Sequence, residues 1–67
     1  MKIQSVTGID GYTLLIYRSL DCLYRFSIID FSGIAFNFDS VFLTAEEADL
    51  KGRNAVEIAC DFDMHLQ

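Results

Sequence analysis

Few side chains in this 67-residue chain are of types that carry chemistry, and their spacing limits what they could do. Asp61 and Asp63 flank Phe62, while Asp30 and Asp39 fall in strand-like stretches. Paired carboxylates work as acid and base only where a desolvated cleft separates their pKa values. On a helix, residues 61 and 63 point to different sides, so the expectation is solvated surface. His65 is the sole histidine and stands two residues from the end of the sequence, where chains fray. Cys22 and Cys60 are reactive only if positive surroundings favour their thiolates. Their neighbours Asp21 and Asp61 are negative. Small buried or half-buried residues are the expected role for both thiols, with no bridge between them.

Two cysteines and one histidine without paired spacing make no zinc site. Gly8-Ile9-Asp10-Gly11 lacks the glycine spacing and the Lys-Ser/Thr helix start of a phosphate loop, and reads as a turn. The nine aromatic residues could in principle stack bases, but the basic residues that such sheets need are missing, so core packing is expected. The sequence therefore assigns no catalytic residue, no cofactor and no metal, and the chain reads as a non-enzyme.

Charge and length sharpen that reading. The formal net charge is −5, and an acidic surface repels nucleic-acid phosphate. Direct nucleic-acid binding is therefore not expected, whereas a basic protein partner is compatible. The longest uninterrupted apolar run covers residues 14–17, too short to cross a membrane. The N-terminus carries no basic region followed by an apolar stretch of secretory length. With unpaired cysteines as well, the expectation is a cytoplasmic protein. A chain this short buries only about 60% of its unfolded surface. Disulfides, metals or partner chains usually supply the rest. With 52% hydrophobic residues and no sign of the first two, a partner chain is expected.

The elements that would position these residues follow from periodicity. Strands are expected over residues 2–6, 12–20, 22–30 and 34–43, and a helix over 45–62, all within one domain spanning 1–67. Residues 7–11, 19–21 and 31–33 supply turn chemistry. In the last strand Ile34, Phe36, Phe38 and Phe42 alternate with Ala35, Asn37, Asp39 and Val41, the pattern of a half-buried antiparallel strand. Thr44-Ala45-Glu46-Glu47 fits a capping box. Beyond it Ala45, Ala48, Gly52, Ala55, Val56, Ile58, Ala59 and Phe62 fall on one helical face. Glu47–Lys51 and Asp49–Arg53 are i,i+4 pairs in the favourable order. The predicted fold is α+β: an antiparallel meander of three or four strands with one C-terminal helix packed on one face. Phe26, Ile28, Phe36, Phe38, Ala48, Ala55 and Ala59 are expected to share its core.

Tyr24-Arg25-Phe26, Asp30-Phe31-Ser32-Gly33, Ser40-Val41-Phe42 and Thr44-Ala45-Glu46-Glu47-Ala48 together resemble the YegP-like repeat, with Ser32 where that family has Asn before the glycine. Met1-Lys2-Ile3, Asp10-Gly11-Tyr12 and the same helix start resemble HicB antitoxins, although the Pro-Gly-Cys-type segment of that family is absent. Both resemblances imply a small bacterial sheet-plus-helix protein.

A single helix covers one face of a small sheet. Leu15, Tyr17, Leu23 and Ile29 stand at odd positions, opposite the face given to the helix, and Leu50 stands on the helix's polar side. Large apolar patches on small soluble proteins mark partner surfaces. These five residues are the candidate interface. The functional expectation is a non-enzymatic protein-interaction module acting as a homodimer. The alternative is a small acidic inhibitor, or antitoxin-like protein, that blocks a basic nucleic-acid-binding partner.

Overall fold

The computed structural model describes the backbone of residues 2–65 and the side chains of residues 2–62. The chain runs β1 (Lys2–Ile9), β2 (Tyr12–Arg18), β3 (Tyr24–Ile29), β4 (Ala35–Asn37) and α1 (Ala45–His65). The strands form one open antiparallel sheet in the order β1-β2-β3-β4, and α1 packs across β2 and β3. This is the α+β meander with a single C-terminal helix.

Three tight turns set the register, and each departs from the expected strand ends for a local reason. The β1–β2 turn needs only Asp10 and Gly11, which both have positive φ (50° and 87°), so Ile9 already pairs with Tyr12. Asp-Gly suits that two-residue geometry because it follows the strand twist. Thr7, Gly8 and Ile9, expected in a turn, therefore continue β1, which is longer than the expected 2–6. The other two turns are alike. Cys22 N–H donates to the Ser19 carbonyl, and Gly33 N–H donates to the Asp30 carbonyl. Ser19 N–H and Asp30 N–H donate across to the carbonyls of Leu23 and Ile34. Cys22 and Gly33 each sit at positive φ (66° and 91°) to close the loop. These three-residue loops shorten the expected strands at 12–20 and 22–30.

The stretch expected to be one strand over 34–43 is broken. Ser27 pairs with Asn37, so an unbroken ladder would set Tyr24 opposite Ser40. Tyr24 instead pairs with Phe42, with both backbone bonds at 2.8 Å. Two extra residues bulge out of the ladder. An even insertion keeps side chains on their original face, so Phe38 and Phe42 both reach Phe26. The ring centroids lie 4.7 Å and 6.0 Å from it. A regular strand would have carried Phe42 past the end of β3. In β1 the bulge between Ile3 and Ser5 inserts an odd residue and reverses the faces.

The core comprises Tyr12, Leu14, Ile16, Phe26 and Ile28 from the sheet, with Ala48 and Val56 from the helix. Phe38, Ala55, Ala59 and Cys60 pack partly buried against it. Phe36 was expected in this core but is exposed, because β4 is the edge strand and the helix does not reach over it. Ile58 and Phe62 also leave the expected buried stripe. The line of closest approach runs Ala48, Gly52, Val56, and they stand on its flank. At Gly52 the helix comes so near the sheet that an added Cβ would lie 2.5 Å from Cδ1 of Leu14.

At the helix start, Glu47 N–H donates to Thr44 Oγ1 at 3.1 Å, which confirms Thr44 as the cap. Asp49–Arg53 closes at 2.7 Å. Among the described residues the expected Glu47–Lys51 pair does not form.

Gly52→Ala should destabilise the protein by about 1–3 kcal/mol through overpacking against Leu14, although alanine favours helix by about 1 kcal/mol. Urea unfolding measures the balance, and a gain in stability would place the helix farther from the sheet. Thr44→Ala should cost about 0.5–2 kcal/mol; an unchanged midpoint would remove Thr44 from the cap. Cys22→Gly should raise stability by about 1 kcal/mol, because a left-handed backbone strains any side chain but glycine. Equal melting temperatures would show that Cys22 is unstrained.

Candidate functional site

The antiparallel register decides which side chains share the face of the sheet away from α1. Ile3 pairs with Tyr17, and Val6 with Leu15, which in turn faces Ser27. Thr13 faces Ile29, which faces Ala35 across β4. The result is an apolar field whose β1 members are exposed, Ile3 at 54% and Val6 at 62%. Leu15, Tyr17 and Ile29 are half-buried by their neighbours on the sheet. The polar groups at its centre pair with each other: the buried Ser27 hydroxyl lies 2.6 Å from Asn37 Oδ1 and donates to it. That bond leaves the middle of the face without an unmet donor in the serine side chain. Arg25, which faces Tyr17 on the same side, is the charged residue of this face, so contact with another apolar surface costs least over Ile3, Val6, Leu15 and Ile29.

Of the five candidate residues, the structure thus brings Leu15, Tyr17 and Ile29 together. Leu23 stands half-buried in the turn before β3, at the edge of this group. Leu50 is exposed on α1, with the sheet between the helix and the open face. Sequence reasoning missed Ile3, Val6 and Ala35. The Asp-Gly step was the available signal for the β1–β2 register. The bulge that turns Val6 onto the open face left no mark in the residue pattern.

A second apolar surface lies on the helix side. Between the last turns of α1 and the β3–β4 edge runs a groove of about 550 Å³, lined by Tyr12, Phe36, Phe38, Ala55, Ile58 and Phe62 among others. The exposed Phe31 and Ile34 stand in the adjoining turn.

The ionisable groups serve the turns. Asp21 receives the Ser19 hydroxyl proton donor and the Leu23 N–H, and Arg25 Nη2 stands 3.5 Å away. The Ser19 bond first, and the Leu23 bond next, hold its carboxyl below the usual range. Arg25 Nε–H also donates to Ser19 Oγ at 3.2 Å, fastening the strand to the turn. Asp30 repeats the design. One oxygen accepts Ser32 Oγ at 2.8 Å, Ser32 N–H at 2.9 Å and Ile34 N–H at 3.0 Å. The Ser32 hydroxyl bond is the main cause of its lowered pKa, followed by Ile34. A carboxylate that is held ionised by local donors is a poor proton acceptor at neutral pH. Asp39 is exposed in the bulge after β4.

Both cysteines are free, Cys22 exposed in its turn and Cys60 half-buried against the core. The side chains of Asp63 and His65 lie outside the described residues. Among the described residues, no group of three or more His, Cys, Asp or Glu side chains is placed to hold a metal ion, and no helix is long and apolar enough to cross a membrane. Compared with protein-family models, with curated proteins and with solved structures, the chain matches none.

Proposed function

We propose that this chain is a non-enzymatic protein-binding module that acts as a homodimer, formed by the open faces of two sheets. The observation that carries this reading is the apolar field of Ile3, Val6, Leu15, Tyr17 and Ile29, which no element among the described residues covers. Soluble monomers rarely leave such a field wet. Symmetric dimers are the commonest way to cover one.

The sheet edges favour face-to-face contact over edge pairing. An edge strand invites pairing when it is long and regular. Here β4 pairs over only three residues, and β1 is broken by its bulge and carries Lys2 at its start. Both edges are blunted. The face between them is apolar across three strands, with its central serine already satisfied by Asn37.

Sedimentation equilibrium at micromolar concentration tests the proposal. Two 7.6 kDa chains should sediment as one particle, and Tyr17→Arg or Val6→Arg should return the monomer mass. A monomer in the parent protein would overturn the reading. A dimer that survives both charged substitutions would move the interface off this face.

A further inference from the structure

β1 is held differently from β2 and β3, and the register shows how. Residues set opposite each other on neighbouring strands share a face. Ser5, Thr7 and Ile9 pair with Ile16, Leu14 and Tyr12, which are core residues, so they stand on the helix side. Ser5 and Thr7 are polar, and of the three it is Ile9 that packs against the core. Ile9 adjoins the Asp10-Gly11 turn. β1 is thus anchored at its turn end rather than along its length, and α1 lies across β2 and β3. The other apolar side chains of the strand, Ile3 and Val6, stand on the open face opposite Tyr17 and Leu15, each more than half exposed.

Two further features loosen the free end. Lys2 pairs directly with Arg18, and like charges set opposite each other on a ladder are destabilising. Both residues are exposed, and among the described residues neither forms a salt bridge. Between Ile3 and Ser5 the bulge interrupts the ladder, and a bulge leaves its extra residue unpaired. As an edge strand, β1 has β2 alone to hold it in the sheet. Segments with few buried apolar contacts and exposed backbone bonds open locally, well before the whole molecule unfolds.

We propose that the first half of β1, residues 2–6, is a strand conditional on dimerisation: it opens from β2 in the single chain and is closed by the second copy. This rests on the homodimer reading and gives that interface a built-in conformational switch. A partner sheet laid on the open face covers Ile3 and Val6, the side chains that β1 turns away from its own core. With the strand open, the partner meets only the field of Leu15, Tyr17 and Ile29. The second copy therefore binds the closed form better, and such a difference shifts the population toward closure. By linkage, closure of β1 strengthens association by the same factor. The pivot is the short stretch next to the tight turn, where Ile9 stays seated against the core.

Hydrogen exchange over a series of protein concentrations tests this, with sedimentation equilibrium at the same concentrations giving the fraction of dimer. Exchange is read by mass spectrometry in peptides covering β1, β3 and α1. In the single chain, β1 should exchange much faster than β3 and α1. As the dimer forms, exchange in β1 should slow at least about tenfold, the effect of covering two apolar side chains that are more than half exposed. Ile29→Arg charges the open face without touching β1. That variant should remain a single chain with fast exchange in β1 at every concentration, while protection in α1 shows that it is folded. The dilution series of the parent protein stands without the variant. A dimer that forms with no slowing in β1 would overturn the proposal and leave the homodimer standing. So would a single chain in which β1 exchanges as slowly as β3. A parent protein that stays a single chain throughout would overturn both readings.

Discussion

The contact between Leu14 and Gly52 governs the arrangement of everything else. Leu14 is fully buried at the middle of the sheet, and the helix crosses it at the one position that has no side chain. Helices pack close only where small residues let the backbone approach. Here Ala48 lies one turn before the glycine and Val56 one turn after it, and both are wholly buried. Glycine costs about 1 kcal/mol of helix propensity relative to alanine. The dispersion contacts of a leucine seated against helix backbone offset that cost. Because this contact fixes how the helix lies on the sheet, it also determines which helical residues are left over. Ile58 and Phe62 fall to the β4 flank, while Asp49, Arg53 and Cys60 fall to the β1 side.

The sheet answers the same constraint with turns and bulges. Two similar three-residue loops, one begun by Ser19 and the other by Asp30, tie their polar side chains back to the backbone. The strands they join are only six or seven residues long on β2 and β3, so the loops carry much of the registration. The two bulges have opposite effects on side-chain direction. The even bulge after β4 returns Phe42 to the core, beside Phe26 and Phe38. The odd bulge in β1 sends Val6 to the open face, where it joins Ile3, Tyr17 and Leu15. One insertion completes the interior, and the other completes the exposed apolar field.

Two apolar surfaces therefore survive folding, one on each side of the sheet. Each has a different electrostatic setting. The open face has its Ser27–Asn37 pair closed on itself, with Arg25 facing Tyr17 beside it. The groove lies between the last turns of α1 and the β3–β4 edge, with Asp30 in its lining. The division follows from topology. Three hairpin connections place two of the turns, with Asp10 and Asp30, at the end toward which the single helix runs.

Much of the architecture was legible in the sequence, because it rests on local rules. Strand alternation, the Thr44 cap, the Gly33 turn and the small-residue stripe each have a short-range physical cause, and together they imply an α+β meander with one helix. The same alternation set Leu15, Tyr17 and Ile29 on the face away from the helix. Other features were decided only by the tertiary structure. Whether Gly8 belonged to a turn or a strand depended on the two-residue reach of Asp10-Gly11. Whether Phe36 was core or surface depended on how far one helix extends over a four-stranded sheet. The position of Ile58 and Phe62 turned on a rotation of the helix by a fraction of a turn, which Leu14 sets from across the core. Bulges are insertions in pairing, not in composition, so the path of Val6 and Phe42 existed only once the strands had met.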